Sequence, residues 1–147
     1  MNVGEVCNRE VIVVAPGETL GAAGREMIER NVGTVVVCED RGSGRRPVGI
    51  LTDRDLMVAL LGDGASARDF VGDAMTRDPL VLHADEPVEQ SVERLRAHAV
   101  RRAPVVNAAG SLEGIVAVDD LVDLLAEQLG AIASLINRQT RRPRGNQ

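Results

Sequence analysis

The segment Thr52–Asp55, with the sequence Thr-Asp-Arg-Asp, has residue types and spacing that point to chemistry. It follows the apolar run Val48–Leu51 and precedes an apolar helical pattern, so it lies where a strand turns into a helix. There the Thr52 hydroxyl and the Asp55 carboxylate can form a capping box. At the mouth of a cleft, the same carboxylate can accept both hydroxyls of a ribose in charge-assisted hydrogen bonds. The two roles are compatible, and the sequence leaves both open.

Arg101 and Arg102 form a second candidate, directly before the apolar strand pattern Ala103–Asn107. A guanidinium forks onto phosphate oxygens, so an arginine pair suits a phosphate-bearing ligand. Positive charge also stabilises the C-terminal end of a helix, and the pair follows a helical pattern. The sequence therefore offers a phosphate-binding role and a purely structural one.

Composition excludes several function classes. The chain has 147 residues, a net charge of −5, neither Trp nor Tyr, and Phe70 as its one aromatic residue, which argues against a platform that stacks nucleic-acid bases. Phosphate-binding glycine loops, nucleophile elbows and His-Glu-x-x-His zinc motifs are absent from the sequence, so no enzyme activity is predicted. The isolated histidines and cysteines are interpreted as packing residues rather than metal ligands. Without an apolar leader or a long apolar run, we expect a cytoplasmic protein that does not enter a membrane.

An internal repeat organises the chain, because three segments recur 65 to 69 residues later. The matched segments are Cys7–Leu20 with Met75–Val88, Gly33–Val37 with Arg102–Val106, and Val48–Leu56 with Glu113–Leu121. On this alignment, the uncharged Val32 and Gly33 stand where the second copy has its arginine pair. Glu39–Pro47 is predicted to be a longer polar loop of the first copy.

Both copies predict the order strand, helix, strand, strand, helix, an α/β (α+β) architecture. The predicted elements are Val11–Val14, Thr19–Asn31, Thr34–Cys38, Val48–Leu51 and Asp53–Leu61, then Leu80–Leu82, Pro87–Ala99, Ala103–Asn107, Leu112–Val118 and Asp119–Leu129. Each copy has too few apolar residues for a core of its own, so we expect the copies to pack as one unit. The last helix is predicted to continue through Ile132, Leu135 and Ile136 into an Arg-rich tail.

Three motifs resemble those of the cystathionine-β-synthase (CBS) domain family: Met-Thr-x-x-Pro from Met75, Arg-Arg-Ala-Pro-Val-Val from Arg101, and Gly-Ile-Leu-Thr-Asp-Arg-Asp-Leu from Gly49. The resemblance covers about Val3 to Ala126 and is that of a free-standing tandem CBS pair. It implies two β-α-β-β-α motifs related by a pseudo-twofold axis, with residues 1–62 as CBS motif 1, 63–72 as a linker, 73–129 as CBS motif 2 and 130–147 as a helical extension and tail. It also implies two clefts that commonly bind adenosine-containing ligands, and a homodimer.

The family pattern implies specific site residues. For cleft one they are Ile50, Thr52, Asp55, Thr76, Leu80, Val81, Arg101 and Arg102; for the weaker cleft two they are Asn8, Val11, Val13 and Asp120. In cleft two, Ala117 replaces the hydroxyl residue, and the arginine pair is assigned to cleft one alone. We therefore expect cleft one to bind a phosphorylated adenosine more tightly than cleft two.

The resemblance implies a regulatory module that senses AMP, ADP, ATP or a NAD-type ligand, needs no cofactor and signals in trans to a separate effector protein. A ligand-independent interaction or dimerisation module with vestigial clefts is the alternative. Nucleic-acid binding through Arg138, Arg141, Arg142 and Arg144 is a weaker hypothesis, because the rest of the chain is acidic.

Overall fold

The computed structural model describes residues 1–140, and the predicted order of elements is present in both halves. The helices are α1 (Val3–Val6), α2 (Leu20–Arg30), α3 (Asp53–Met57, continued by a π-helical turn Val58–Gly62), α4 (Val71–Ala74), α5 (Val88–Ala97) and α6 (Val118–Thr140). The strands are β1 (Val13–Val14), β2 (Thr34–Asp40), β3 (Arg45–Thr52), β4 (Thr76–Arg77), β5 (Leu82–His83), β6 (Arg102–Val106) and β7 (Leu112–Ala117). The mixed α/β class is confirmed, as is the continuation of the last helix past Leu129. Arg141, Arg142 and Arg144 of the tail lie outside the described residues.

The strands form two sheets, ordered β1-β2-β3-β4 and β5-β6-β7. In each sheet a two-residue parallel strand precedes an antiparallel hairpin. The prediction of a loop over Glu39–Pro47 is wrong, because β2 and β3 pair as far as Asp40 with Arg45. A turn at residues 41–44 closes this hairpin, with Gly42 and Gly44 at positive φ.

The backbone corrects the sequence alignment of the two halves by one residue. Thr34 pairs with Thr52, and Arg102 pairs with Ala117, at equivalent ends of the two hairpins. Asn31 and Ala99 both have φ of 52° three residues earlier. Thr34 is therefore the counterpart of Arg102, and the match of Gly33 with Arg102 is wrong.

Each half completes the other half's core. Val3 of α1 is buried with Leu82 and Leu95 of the second half. Val71 of α4, which leads into the second half, is buried with Leu20 of the first half. This exchange explains how two small halves share enough apolar contact to fold as one unit.

The same exchange explains the glycine that lies three residues before the end of β3 and of β7. β4 pairs with β3 beside Gly49, and Asn8 bridges to Ile115 beside Gly114. A Cβ atom at Gly114 would lie 2.5 Å from the Asn8 carbonyl oxygen, and one at Gly49 would meet the Met75 sulfur. The lack of a Cβ atom at both positions lets another segment pass directly over the strand.

α6 leaves the body of the protein after its first two turns. Leu121 is buried and Leu124 half-buried, whereas every residue from 126 to 139 is exposed. None of the helices formed by residues 1–140 combines the length and apolar character needed to cross a membrane.

Candidate functional site

Cleft one is a cavity of about 380 Å³ between the two halves. Six of its eight predicted residues line it: Ile50, Thr52, Thr76, Leu80, Arg101 and Arg102. β3 and β4 place Ile50 beside Thr76, which brings residues of both repeats to one wall. The two arginines enter from the start of β6 and the loop that precedes it. The cavity thus combines an aliphatic wall with two cationic side chains.

Two predicted residues of cleft one, Asp55 and Val81, lie outside this cavity. The backbone N–H of Thr52 donates to Asp55 Oδ2 at 2.9 Å, and that of Asp55 donates to Thr52 Oγ1 at 3.1 Å. The predicted capping box is therefore confirmed, and it holds the Asp55 carboxylate at the start of α3. Asp55 lines a separate cavity, described below, and Val81 is half-buried beside Leu82, with its carbonyl accepting from Arg94 at 3.0 Å.

Sequence reasoning missed five other residues that line cleft one: Thr34, Asp78, Pro79, His98 and Val100. Asp78 has a φ of 48° and turns the chain between β4 and β5. The dipeptide Asp78-Pro79 is a turn signal in the sequence and marks this corner. His98 and Val100 follow α5, where only the arginine pair attracted attention.

Cleft two is a smaller cavity of about 280 Å³ with a different charge. Asn8, Val11 and Asp120 line it as predicted. Val13 does not line it, because this residue lies in β1 and pairs with Val36 of β2. Glu10 and Asp119 join Asp120 on its walls. Acids therefore outnumber bases in cleft two, and a phosphate is repelled there.

Arg102 lines both clefts, which contradicts its assignment to cleft one alone. Its counterpart Thr34 also lines both. Thr34 Oγ1 is buried and has no hydrogen-bond partner within residues 1–140. A buried hydroxyl without a partner is unfavourable, so a polar ligand atom at this point would satisfy it. The off-by-one alignment concealed Thr34 in the sequence.

Arg101 is tied to the opposite cleft. Its Nη2 donates to Asp119 Oδ1 at 2.8 Å, although both side chains are largely exposed. This hydrogen bond and the charge of Arg101 lower the pKa of Asp119. Arg101 therefore faces cleft one while it is paired with an acid of cleft two.

A third cavity, of about 280 Å³, lies on the first half. Its polar walls are dominated by acids: Asp55, Asp63, Asp69 and Asp73 outnumber Arg54. Phe70 also lines it and is 53% exposed. The negative charge of this cavity disfavours a phosphorylated ligand. Because Phe70 lines this cavity, the one aromatic ring of the chain lies away from cleft one.

The cysteines pack as small apolar groups. Burial raises the pKa of the Cys38 thiol to about 11 and also raises that of Cys7. Within residues 1–140, no three His, Cys, Asp or Glu side chains are grouped so that they could hold a metal ion.

Comparison with known proteins identifies the family of the two repeats. The sequence matches the CBS domain over residues 3–62 and again over residues 71–127. The chain belongs to the CBS domain family. It is a tandem CBS pair, and both matched regions take part in the exchange of segments between the repeats.

Two relatives of the CBS pair differ in how much of their own length the match covers. Hypoxic response protein 1 of Mycobacterium tuberculosis is 31% identical over 124 residues, which are 84% of each chain. An uncharacterized protein of Methanopyrus kandleri, MK0525, is 30% identical over 125 residues. The match covers 84% of the CBS pair but only 62% of that relative.

Solved structures have the same fold. The hypoxic response protein with two coordinated zinc ions is 29% identical, with a TM-score of 0.72 over 84% of this chain and 98% of that one. CBSX2 in complex with AMP is 28% identical, also with a TM-score of 0.72, over 86% and 96%. The CBS domain pair of MJ0100 in complex with 5′-methylthioadenosine and S-adenosyl-L-methionine has a TM-score of 0.74 at 23% identity, over 87% and 98%.

Proposed function

We propose that this CBS pair is a regulatory module that binds a phosphorylated adenosine ligand of the AMP, ADP, ATP or NAD type in cleft one. Binding, rather than catalysis, is its role, and as a homodimer it signals in trans to a separate effector protein. The observation that carries the proposal is the pairing of an aliphatic wall with Arg101 and Arg102 in one cavity. The AMP complex of the similar protein CBSX2 supports the ligand class.

The dimensions and chemistry of cleft one suit such a ligand. Its volume of about 380 Å³ falls in the range of roughly 300–1,000 Å³ that is typical of small-molecule sites. The apolar side chains Ile50, Leu80 and Val100 provide a wall for the base, since Phe70 lies elsewhere. The arginines provide phosphate ligands, and Thr34 Oγ1 provides a buried hydroxyl that needs a partner.

We further propose that Asp55 binds the ribose while Thr52 caps α3: although the Asp55 side chain lines a separate cavity, its carboxylate is hydrogen-bonded to Thr52, which lines cleft one. The capping box uses one hydrogen bond to Asp55 Oδ2, and a carboxylate has about four acceptor sites in total. The side chain therefore retains acceptor capacity for a sugar hydroxyl.

A direct test is available because the chain contains neither Trp nor Tyr. A purified sample absorbs little at 280 nm, so a band near 260 nm reveals a retained nucleotide. After the nucleotide is removed, AMP at 100 times its Kd should raise the free energy of unfolding by about 2.7 kcal/mol. Adenosine at the same concentration serves as the control for the phosphate, and an equal effect of both compounds would contradict the role of the arginines.

The second candidate function is a ligand-independent interaction module. It is favoured by one observation: the Asp55 carboxylate is held in the capping box and lines another cavity. This candidate predicts that AMP, ATP and NAD all leave the melting temperature unchanged.

A further inference from the structure

A cavity of about 150 Å³ lies between the two hairpin turns, and we call it the hairpin cavity. The first turn, residues 41–44, joins β2 to β3, and the second turn, residues 107–111, joins β6 to β7. Both ligand clefts are lined at the other ends of these hairpins, by Thr34 and Arg102. Because β2 has seven residues, the hairpin cavity lies about 20 Å from the clefts along the sheet.

Each hairpin turn has a glycine against which a side chain of the other half packs. A Cβ atom at Gly44 would lie 2.1 Å from Ser111 Oγ, so the lack of a side chain there lets the hydroxyl approach the first turn. In the opposite direction, a Cβ atom at Gly110 would lie 3.0 Å from Arg46 Nη2. The Arg46 guanidinium therefore lies beside the second turn, and the two halves are in reciprocal contact at the hairpin cavity.

The walls of the hairpin cavity are positively charged. Two arginines, Arg41 and Arg46, and two serines, Ser43 and Ser111, line it together with three small uncharged residues. Within residues 1–140, no carboxylate lines this cavity, although the whole chain has a net charge of −5. Its electrostatics therefore favour an anion, in contrast to the acidic walls of cleft two.

Two donor side chains, one from each half, have no acceptor at this cavity. The Arg41 guanidinium is paired with Glu39 at 2.9 Å. The Arg46 guanidinium, in contrast, makes no ion pair and no hydrogen bond with any residue from 1 to 140. The Ser111 hydroxyl likewise has no hydrogen-bond partner in this part of the chain. An acceptor that enters the cavity can therefore bind both groups without breaking an existing contact.

The second turn holds its side of the cavity in a fixed conformation. The backbone N–H of Asn107 donates to the Ser111 carbonyl at 2.9 Å. Asn107 Oδ1 accepts from the backbone N–H groups of Ala109 and Ser111, each at 3.0 Å. These bonds restrict the turn before any ligand binds, so little conformational entropy is lost when the Ser111 hydroxyl becomes a ligand.

The size and the donors of the cavity suit a tetrahedral oxyanion. A guanidinium binds phosphate oxygens through charge-assisted hydrogen bonds, and its planar fork can contact two oxygens at once. The volume of about 150 Å³ lies below the range of roughly 300–1,000 Å³ that is typical of sites for larger organic ligands. A compact phosphate group fits this space better than a nucleotide does.

We propose that the hairpin cavity binds a phosphate group, as inorganic phosphate or as a small phosphomonoester, through Arg46 and Ser111. Because these residues belong to different halves of the CBS pair, the bound group joins the two hairpins. This site is additional to the proposed function, and it does not depend on which ligand occupies cleft one.

Amide NMR spectra of the full chain separate this site from cleft one, whose arginines also attract phosphate. On titration with millimolar sodium phosphate, we expect the amide signals of Gly44, Gly110 and Ser111 to shift until they saturate. Sodium chloride of equal ionic strength is the control for screening of surface charge, and it should leave these signals in place. Equal shifts with chloride, or no shifts with phosphate, would overturn the proposal.

Two adjacent arginines of β3 provide matched variants. Arg46→Gln should raise the phosphate Kd at the hairpin turns by about tenfold or more, through loss of a charge-assisted hydrogen bond. Arg45→Gln removes the same charge from a residue that does not line the cavity, so it should change this Kd by less than about threefold. Both arginines are exposed, so both variants should retain the wild-type circular dichroism spectrum. Equal losses would overturn the site in favour of a general attraction by positive charge.

Further titrations test the contribution of the second half and the source of the phosphate. Ser111→Ala should raise the phosphate Kd about fivefold, and an unchanged Kd would overturn the joining of the two halves. Methyl phosphate in place of inorganic phosphate distinguishes the two sources by which compound binds more tightly, and binding of neither overturns the proposal. Arg102→Ala should leave the shifts at the hairpin turns unchanged, so a failure of the cleft-one hypothesis is seen separately.

Discussion

The two halves of the CBS pair share one backbone plan and differ at the positions that face a ligand. Thr34 begins β2 where Arg102 begins β6, and Thr52 caps α3 where Ala117 precedes α6. The result is one cleft lined by two arginines and one aspartate, and a second cleft lined by three acids and one arginine. A duplicated fold has thus become asymmetric through a few side chains, while the crossing segments and core remain equivalent.

The two clefts share one charged side chain, since Arg102 lines both. Its guanidinium can serve a phosphate in cleft one or offset the acids of cleft two. Arg101 is similarly paired with Asp119 across the boundary. The clefts differ in charge, but they are not independent.

The largest expected effect concerns the crossing that the halves share. Gly114→Ala should destabilise the protein by about 3 kcal/mol, since its Cβ meets the rigid Asn8 carbonyl at 2.5 Å. Gly49→Ala should cost about 1 kcal/mol, because the nearest atom belongs to the flexible Met75 side chain. Urea denaturation measures both values, and equal losses would contradict the difference between the crossings.

Arg102→Ala should weaken AMP binding about 10- to 100-fold, through loss of one charge-assisted hydrogen bond. Titration calorimetry measures the change, and adenosine binding is the control that should stay within about twofold. A similar loss for adenosine would show that Arg102 supports the fold of the cleft rather than the phosphate.

The two aspartates at helix starts separate the clefts directly. We expect Asp55→Ala to lower AMP affinity by more than about tenfold, through loss of a charge-assisted ribose contact. Asp120→Ala, its counterpart in cleft two, should spare most of the affinity. Asp55→Ala also removes the capping box, so it should cost about 1 kcal/mol of stability. A fall in stability with unchanged affinity would restrict Asp55 to capping.

Arg101→Ala should weaken AMP binding less than Arg102→Ala does, by about fivefold at most. Its side chain is 78% exposed and already paired with Asp119, and exposed ion pairs contribute little. Calorimetry under the conditions used for Arg102→Ala measures the ratio. A larger loss than that of Arg102→Ala would reverse the assignment of the two arginines.

The smallest effect is a shift in pH dependence. The pKa of Asp119 lies below its ordinary value of 3.8 because Arg101 donates to its carboxylate. A lowered carboxyl pKa stabilises the folded state above about pH 4, and this contribution is lost as the pH falls through the folded-state pKa. Carboxyl chemical shifts should titrate below 3.8 in wild type and near 3.8 in Arg101→Ala. An unchanged titration would show that the ion pair does not form in solution.

Much of this fold follows from sequence pattern, since the repeat and its apolar periodicity predict the order of elements. Ile50, Thr76 and Leu80 could be placed in cleft one because a family motif fixes them relative to strand ends. The alignment of β2 with β6 could not be predicted from the sequence, because Gly33-Thr34 and Arg101-Arg102 share no residue type. A shift of one residue also leaves the apolar run intact. The slip concealed Thr34.

The exchange of segments was also beyond the sequence. Val71 lies in a polar stretch that looks like a linker, and only the packing shows it buried in the first core. Similarly, nothing in the order of residues indicates that Arg102 reaches two cavities.

Calorimetric titration of nucleotide-free protein with AMP and with adenosine tests the asymmetry of the clefts most directly. The structure predicts one tight AMP site, whose preference for AMP over adenosine is lost in Arg102→Ala and retained in Asp120→Ala. Two equal AMP sites, or equal affinity for AMP and adenosine in the wild-type protein, would contradict it.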